Sequence, residues 1–253
     1  MILNKHQLIL VAVRLKSSRL ERKALADLAG SPLIIRLFER LNEYIPRDNI
    51  VLCTSIHPQD GELYDLAVEN GIQIYRGSEL DVASRFIEAA DIYGATTIVR
   101  VTGDNPLTGG KFILKMLESH DDSGAEYTFV SDLPIGTRAE VIDVNGLRRI
   151  RSEWSDPQSS EYMTLLLNRS DKFRQNEMVA NDKKISRPEL RLTVDTPEDL
   201  LLMQSIYSHF EGTPPDLSGV IEYLDANPNI RLIEDTTNIG PISDDIDYSY
   251  LGD

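Results

Sequence analysis

The sequence predicts an α/β protein: a mostly parallel sheet with helices on both faces and a small inserted lobe or dimerisation arm. Three observations lead there. Residues 8–13, LILVAV, are six consecutive apolar side chains, a run suited to a strand buried on both faces. Residues 97–102, TIVRVT, are rich in β-branched residues, as interior strands are. Between and beyond them, strand-like runs alternate with segments of helical character, the order that a parallel sheet covered by helices imposes.

In chain order, residues 8–13 are the first strand. Ser31-Pro32 reads as a helix start, a capping side chain followed by Pro at the first helical position, with Leu33, Ile34, Leu37, Phe38 and Leu41 as its apolar stripe. Residues 50–54 form a second strand, followed by a helix over about 60–70 that stops at Gly71. Residues 72–75 form a third, with Arg76-Gly77-Ser78 as its exit turn, and a helix over roughly 81–93 closes at Gly94. The strand at 97–102 delivers Gly103-Asp104-Asn105-Pro106, a turn that projects Asp104 from a strand's C-terminal edge.

From about residue 126 the rhythm loosens. Residues 127–130 are a strand, 134–142 a turn leading into another, and 160–168 a helix; 130–185 is expected to form the lobe, the place for acceptor recognition and dimer contacts. The core resumes with a strand at 190–194 and a well-marked helix start, where Thr196 is the N-cap, Pro197 the first helical residue and Asp199 the acidic member of a capping box. Residues 1–235 thus read as one domain and 236–253 as an acidic C-terminal tail.

Composition narrows the function. A net charge of -15 argues against general nucleic-acid binding, which needs a basic face. The single cysteine, Cys53, excludes an intramolecular disulfide framework and a Cys-rich zinc site; within NIVLCT it reads as a buried structural thiol. The apolar run 8–13 is too short for a signal peptide and nothing reaches the length of a membrane span, so the expectation is a cytoplasmic protein with no membrane partner. His6, His57, His120 and His209 show no metal-ligating spacing, and Trp154 reads equally as an interface anchor or a packing residue.

Against this acidic background, Arg14, Lys16, Arg19, Arg22 and Lys23 crowd into ten residues directly after the first strand, with Ser17 and Ser18 among them. A basic loop at the C-terminal end of a parallel strand lies where open α/β sheets place ligands, and its cations and hydroxyls suit a polyphosphate. A solvated charged turn explains the composition as well. No GxxxxGK[ST] is present, which argues against a Walker-type NTPase. Asp104 and Asp195 each follow a β-rich run and precede a helix start. If both strands lie in one parallel sheet, the two carboxylates share an edge with the basic loop and suit Mg²⁺, which is held by one or two carboxylates together with substrate phosphates. Taken singly, each also fits a local capping role.

Arg14, Ser17, Arg19 and Lys23 fit R-x-x-S-x-R-x-x-x-K, a signature that resembles that of sugar-activating cytidylyltransferases. The likeness is greatest to the spore-coat polysaccharide SpsF family, with the CMP-Kdo and CMP-sialic acid synthetases as more distant relatives. VTGDNPL and LTVDTPEDL resemble that family's magnesium-binding strings. Lys16 stands where the family usually carries Gly, and Glu21-Arg22 where it carries a Pro.

The resemblance implies a Rossmann-like fold, a homodimer, and CTP-dependent transfer of CMP to a sugar, sugar acid or related small acceptor for surface-polysaccharide biosynthesis, with pyrophosphate released. It implies Mg²⁺ on Asp104 and Asp195; Arg19, Lys23 and Asp104 as the catalytic group; and nucleotide contacts from Ala12, Val13, Arg14, Ser17, Ser18, Arg19, Lys23, Thr54, Ser78 and Asp104. For the acceptor, Arg138 and Glu140 in PIGTRAEVI and Glu161 are the candidates; Tyr162 stands where the family places a His. A nucleotide-sugar glycosyltransferase and a non-catalytic nucleotide-binding relative are the alternatives.

Overall fold

The computed structural model describes residues 3–4, 6–16, 19–153, 167 and 172–232. β1 (Gln7–Ala12) leads through the basic loop to a short hairpin, β2 (Asp27–Leu28) and β3 (Ser31–Pro32), and then to α1 (Leu33–Asn42). The expected helix start at Ser31-Pro32 is displaced by one residue. The hairpin takes Ser31 and Pro32 into extended backbone, Pro32 sits at the N-cap with ψ 141°, and no side chain caps the helix. The Leu33 N–H donates instead to the Ala26 carbonyl at 2.8 Å.

β4 (Ile50–Ser55), α2 (Gly61–Glu69), β5 (Gln73–Gly77), α3 (Val82–Tyr93) and β6 (Thr97–Thr102) follow. Arg76 and Gly77, expected in a turn, extend β5 because they pair with Thr54 and Ser55 of β4. The chain continues with α4 (Gly110–Ser123), β7 (Tyr127–Val130), β8 (Glu140–Asp143), α5 (Val144–Glu153), β9 (Gln175–Met178), α6 (Pro197–His209) and α7 (Leu217–Ala226). α6 begins as its sequence predicts: Thr196 and Asp199 form a reciprocal capping box around Pro197.

Seven strands make one sheet in the order β5-β4-β1-β6-β8-β7-β9. The first four are mutually parallel; β8 runs antiparallel to β6 and β7, and β9 returns parallel to β7. Within the loosened stretch 130–185, β8 and β9 therefore belong to the main sheet, while the helix expected at 160–168 and Trp154 lie outside the described residues but for Leu167.

Alternate residues of β1 feed the two faces, Ile9 and Val11 one core with α1, α2 and α4, Leu8 and Leu10 the other with α3 and α5. Each fully buried aliphatic side chain contributes roughly 1.5–3 kcal/mol. A third cluster joins Leu192 and Val194 to α6, α7 and Leu107. That cluster corrects the expectation for residues 190–194. They form no sheet strand: the segment makes an isolated bridge from Arg191 to Ile135 and is buried through α6 and α7.

Candidate active site

The basic loop leaves β1 beside the exit of β6, where the Gly103 N–H donates to the Ala12 carbonyl at 2.8 Å. Asp60, 2% exposed, fixes the loop's base by accepting the Leu15 N–H at 2.8 Å on one carboxylate oxygen and the Ser55 hydroxyl on the other. Further along, the Arg22 N–H returns to the Leu15 carbonyl at 3.1 Å. Arg22 itself has left-handed backbone, φ 58°, and its guanidinium makes a two-pronged pair with Glu62 on α2. The five cations thus divide. Arg14 donates to the Glu79 carbonyl at 3.0 Å and Lys16 lies 3.7 Å from the Glu79 carboxylate, whereas Arg19 and Lys23 turn the other way. Ser17 and Ser18 lie outside the described residues.

Lys23, at the head of a 3-10 turn (Lys23–Leu25), places its Nζ 2.6 Å from Asp104 Oδ2 and 2.6 Å from Asp195 Oδ1. Arg19 Nη2 lies 3.2 Å from the same Asp195 oxygen. Asp104 and Asp195 therefore meet across 91 residues of sequence, but not through neighbouring strands of the sheet. The joining bond is backbone to backbone: the Val194 N–H donates to the Asp104 carbonyl at 3.0 Å.

Asp195 is held from behind. Arg191 Nη2 contacts Asp195 Oδ2 at 3.2 Å and, with Nε, grips Asp199 at 3.0 and 2.8 Å. The Asp199 carboxylate also accepts the N–H groups of Asp195 and Thr196, each at 2.9 Å. Burial pushes the Asp199 carboxyl up, but its bonds from Arg191 and the two N–H groups outweigh that and hold it below the usual range. Arg191 and Asp60 escape the sequence reading. An Arg four residues before an Asp is the only local trace of Arg191, and nothing in sequence links Asp60 to Leu15.

A cavity of about 520 Å³ opens along the sheet edge, with Arg14, Glu79 and Leu80 at one end and Lys23, Gly103 and Asp104 at the other. Ala12, Val13 and Arg19 also line it. Thr54 is fully buried at the end of β4, and its hydroxyl has no hydrogen-bond partner among the described residues. The Ser78 hydroxyl accepts the Asp81 N–H at 3.0 Å and so shapes the entry to α3 rather than the cavity wall.

The acceptor candidates are not gathered at this cavity. Glu140 is 7% exposed in β8, where it pairs with Arg100 of β6 and accepts the Tyr127 hydroxyl at 2.6 Å. Arg138 is half-buried and donates from Nε to the Leu133 carbonyl at 2.8 Å. Glu161 lies outside the described residues.

Two carboxylates already converging on one ammonium fit a shared divalent cation. Among the described residues, no group of three or more His, Cys, Asp or Glu side chains is gathered, so the remaining ligands would come from substrate and water. Cys53 is fully buried, and burial pushes its thiol up to about 12, which leaves it no part as a nucleophile. No helix among the described residues is long and apolar enough to cross a membrane.

The cytidylyltransferase family profile matches residues 8–213, a span that contains the whole site. The chain is 30% identical over 229 residues to the spore coat polysaccharide biosynthesis protein SpsF of Bacillus subtilis, covering 88% of this chain and 95% of that one. It is 29% identical over 141 residues to a 3-deoxy-manno-octulosonate cytidylyltransferase of Herminiimonas arsenicoxydans, covering 53% and 50%. Its fold superposes on the solved structure of a cytidylyltransferase from Leptospira borgpetersenii with a TM-score of 0.80 at 26% identity, covering 89% and 96%.

Proposed function

The chain belongs to the cytidylyltransferase family, and on that footing we propose that it transfers CMP from CTP to a sugar, sugar acid or related small acceptor for surface-polysaccharide assembly. The observation that carries this reading is the convergence of Lys23, Asp104 and Asp195 beside a cavity of about 520 Å³ that Lys23 and Asp104 line. An acceptor oxygen attacks the α-phosphorus, the bond to the bridging oxygen breaks, pyrophosphate departs with the electron pair, and the proton of the acceptor hydroxyl passes to solvent.

Negative charge builds on the bridging and leaving oxygens, so positioning and electrostatic stabilisation suffice without a protein nucleophile. Arg19 and Lys23 would neutralise the β- and γ-phosphates, which would displace the carboxylates from Lys23. Arg14 supports the Glu79 end of the cavity. Asp104 and Asp195 would hold Mg²⁺, whose charge, when bound, draws electron density from phosphate oxygens. Arg191 and Asp199 keep Asp195 oriented, as outer partners of metal-binding carboxylates do.

The experiment is pyrophosphate release from CTP with a panel of sugars and sugar acids, in wild type and Asp104→Asn. Acceptor-dependent release that the substitution abolishes supports the reading. Consumption of a finished nucleotide-sugar with nucleotide release would replace it by glycosyl transfer. Nucleotide binding without turnover across the panel would replace it by a non-catalytic role.

A further inference from the structure

A cavity of about 350 Å³ lies between the C-terminal end of α1, the start of α4 and the approach to α7, and it shares no lining residue with the cavity beside Lys23 and Asp104. Leu107, Phe112, Leu133 and Leu217 give it apolar walls. Of its three acids, Asp216 caps α7, accepting the Ser218 hydroxyl at 2.7 Å and the Gly219 N–H at 3.3 Å. Asp182 accepts the Lys184 N–H at 2.9 Å, and Glu43 is exposed. Three cations, Arg40, Lys111 and Lys115, line the same cavity and form no ion pair among the described residues.

Arg40 is 8% exposed. Its Nε donates to the Leu107 carbonyl at 3.2 Å and its Nη1 to the carbonyls of Pro214 and Pro215 at 3.1 and 3.0 Å, while Nη2 has no hydrogen-bond partner among the described residues. Carbonyls orient a buried guanidinium without neutralising it, so its charge favours an anion in the cavity. The start of α4 adds donors. Gly109 is the N-cap, with φ -100° and ψ 125°, and a β-carbon there would meet nothing within 4 Å. Neither backbone nor packing therefore requires glycine, yet its presence leaves the helix without a side-chain cap. The buried Thr108 hydroxyl supplies none either, since it has no partner among the described residues. The N–H groups of Gly110 and Lys111, both lining residues, thus make no hydrogen bond among the described residues. Such a helix start favours an oxyanion.

We propose that this cavity binds a small organic anion, its carboxylate or phosphate head held by Arg40, Lys111 and the first N–H groups of α4, and its apolar body packed on Leu107, Phe112, Leu133 and Leu217. An inorganic anion would leave the apolar walls bare, and an uncharged ring would leave the donors unmatched. The site stands apart from the cytidylyl reading, because Lys23, Asp104 and Asp195 do not line it. Arg40 nonetheless links the two regions: the carbonyl that its Nε holds belongs to Leu107, three residues after Asp104.

The test measures binding of naphthyl phosphate, naphthoate and naphthol by titration calorimetry in wild type, Gly109→Asp, Lys111→Glu and Lys23→Met. Wild type should bind at least one of the two anions with a dissociation constant below about 1 mM, and naphthol at least about tenfold more weakly. Gly109→Asp sets a carboxylate on the same N–H groups. It should keep or raise the unfolding temperature and weaken the anion about ten- to a hundredfold. Lys111→Glu, at an exposed position, should weaken it to a similar extent, and it decides the matter if Gly109→Asp does not fold. Lys23→Met should leave the anion's affinity unchanged, since Lys23 lines the other cavity. Binding of neither anion, equal binding of naphthol, or a loss confined to Lys23→Met overturns the assignment.

Discussion

The Nζ of Lys23 and the Oδ1 of Asp195 lie 2.6 Å apart, and the same ammonium lies 2.6 Å from Asp104 Oδ2, so a lysine occupies the place between the carboxylates that a divalent cation would take. On the proposed reaction, nucleotide phosphates would compete for Lys23 and release the carboxylates, which would couple metal binding to nucleotide binding. Lys23→Met should therefore bind Mn²⁺ more tightly than wild type when no nucleotide is present, as followed by electron paramagnetic resonance. Its turnover should fall by at least about a hundredfold, because a phosphate-facing charge is lost. Unchanged Mn²⁺ affinity would mean that Lys23 does not occupy the metal position.

Arg191 touches Asp195 and grips Asp199, which is 2% exposed. Arg191→Met should lower stability by about 1.5–3 kcal/mol, the worth of hydrogen bonds to a charged group. As a positioning residue, it should also raise the Mg²⁺ concentration for half-maximal activity about ten- to a hundredfold. Arg191→Lys should restore part of the stability but little of the Mg²⁺ response, because an ammonium cannot reproduce the fork. A stability loss with an unaltered Mg²⁺ response would confine Arg191 to folding.

These contacts explain how far the sequence could be read. Residues 97–102 are a strand in both readings, and Thr196 and Asp199 cap α6 as expected, because β-branching and capping act within a few residues. Lys23, Asp104 and Asp195 were legible as residue types in turns after apolar runs. Their means of meeting was not: the alternating LRLTV pattern suggests a strand, but its apolar residues face α6 and α7. Glu140 is an acceptor candidate from its place in PIGTRAEVI; its partners, Arg100 and Tyr127, come from two other strands and leave no local trace in the sequence. The start of α4 carries no side-chain cap, so its sequence lacks the usual marker.

Gly136 packs directly against the 190–195 segment. Its φ is +89°, and a β-carbon there would stand 2.2 Å from the Thr193 nitrogen and 2.4 Å from the Leu192 carbonyl carbon. Gly136→Ala must displace the segment that carries Asp195. The strain should cost about 1–3 kcal/mol, seen as roughly 2–12 °C in the unfolding temperature. Displacing Asp195 by even about 1 Å should reduce kcat about a hundredfold. Wild-type kcat in a destabilised variant would show that Asp195 does not depend on this contact.

Glu126 joins the start of β7 to α5 and to the segment before β9. Its carboxylate accepts from Arg149 Nη1 at 2.8 Å and from the Arg174 N–H at 3.1 Å. The Arg149 bond is the main cause that holds its carboxyl below the usual range, against burial, with the Arg174 N–H adding to it. Because the folded chain holds this proton more weakly than the unfolded chain, the bonds contribute stability that is complete above the ordinary Glu pKa of about 4.3 and is lost as pH falls through the lowered folded value. Arg149 is 46% exposed, so solvent screening limits the contribution to about 1 kcal/mol. Glu126→Gln should thus unfold about 2–4 °C below wild type at pH 7. The two melting curves should converge as pH falls below about 4. A gap that stays constant from neutral to acid pH would show that Glu126 acts through its shape and not its charge.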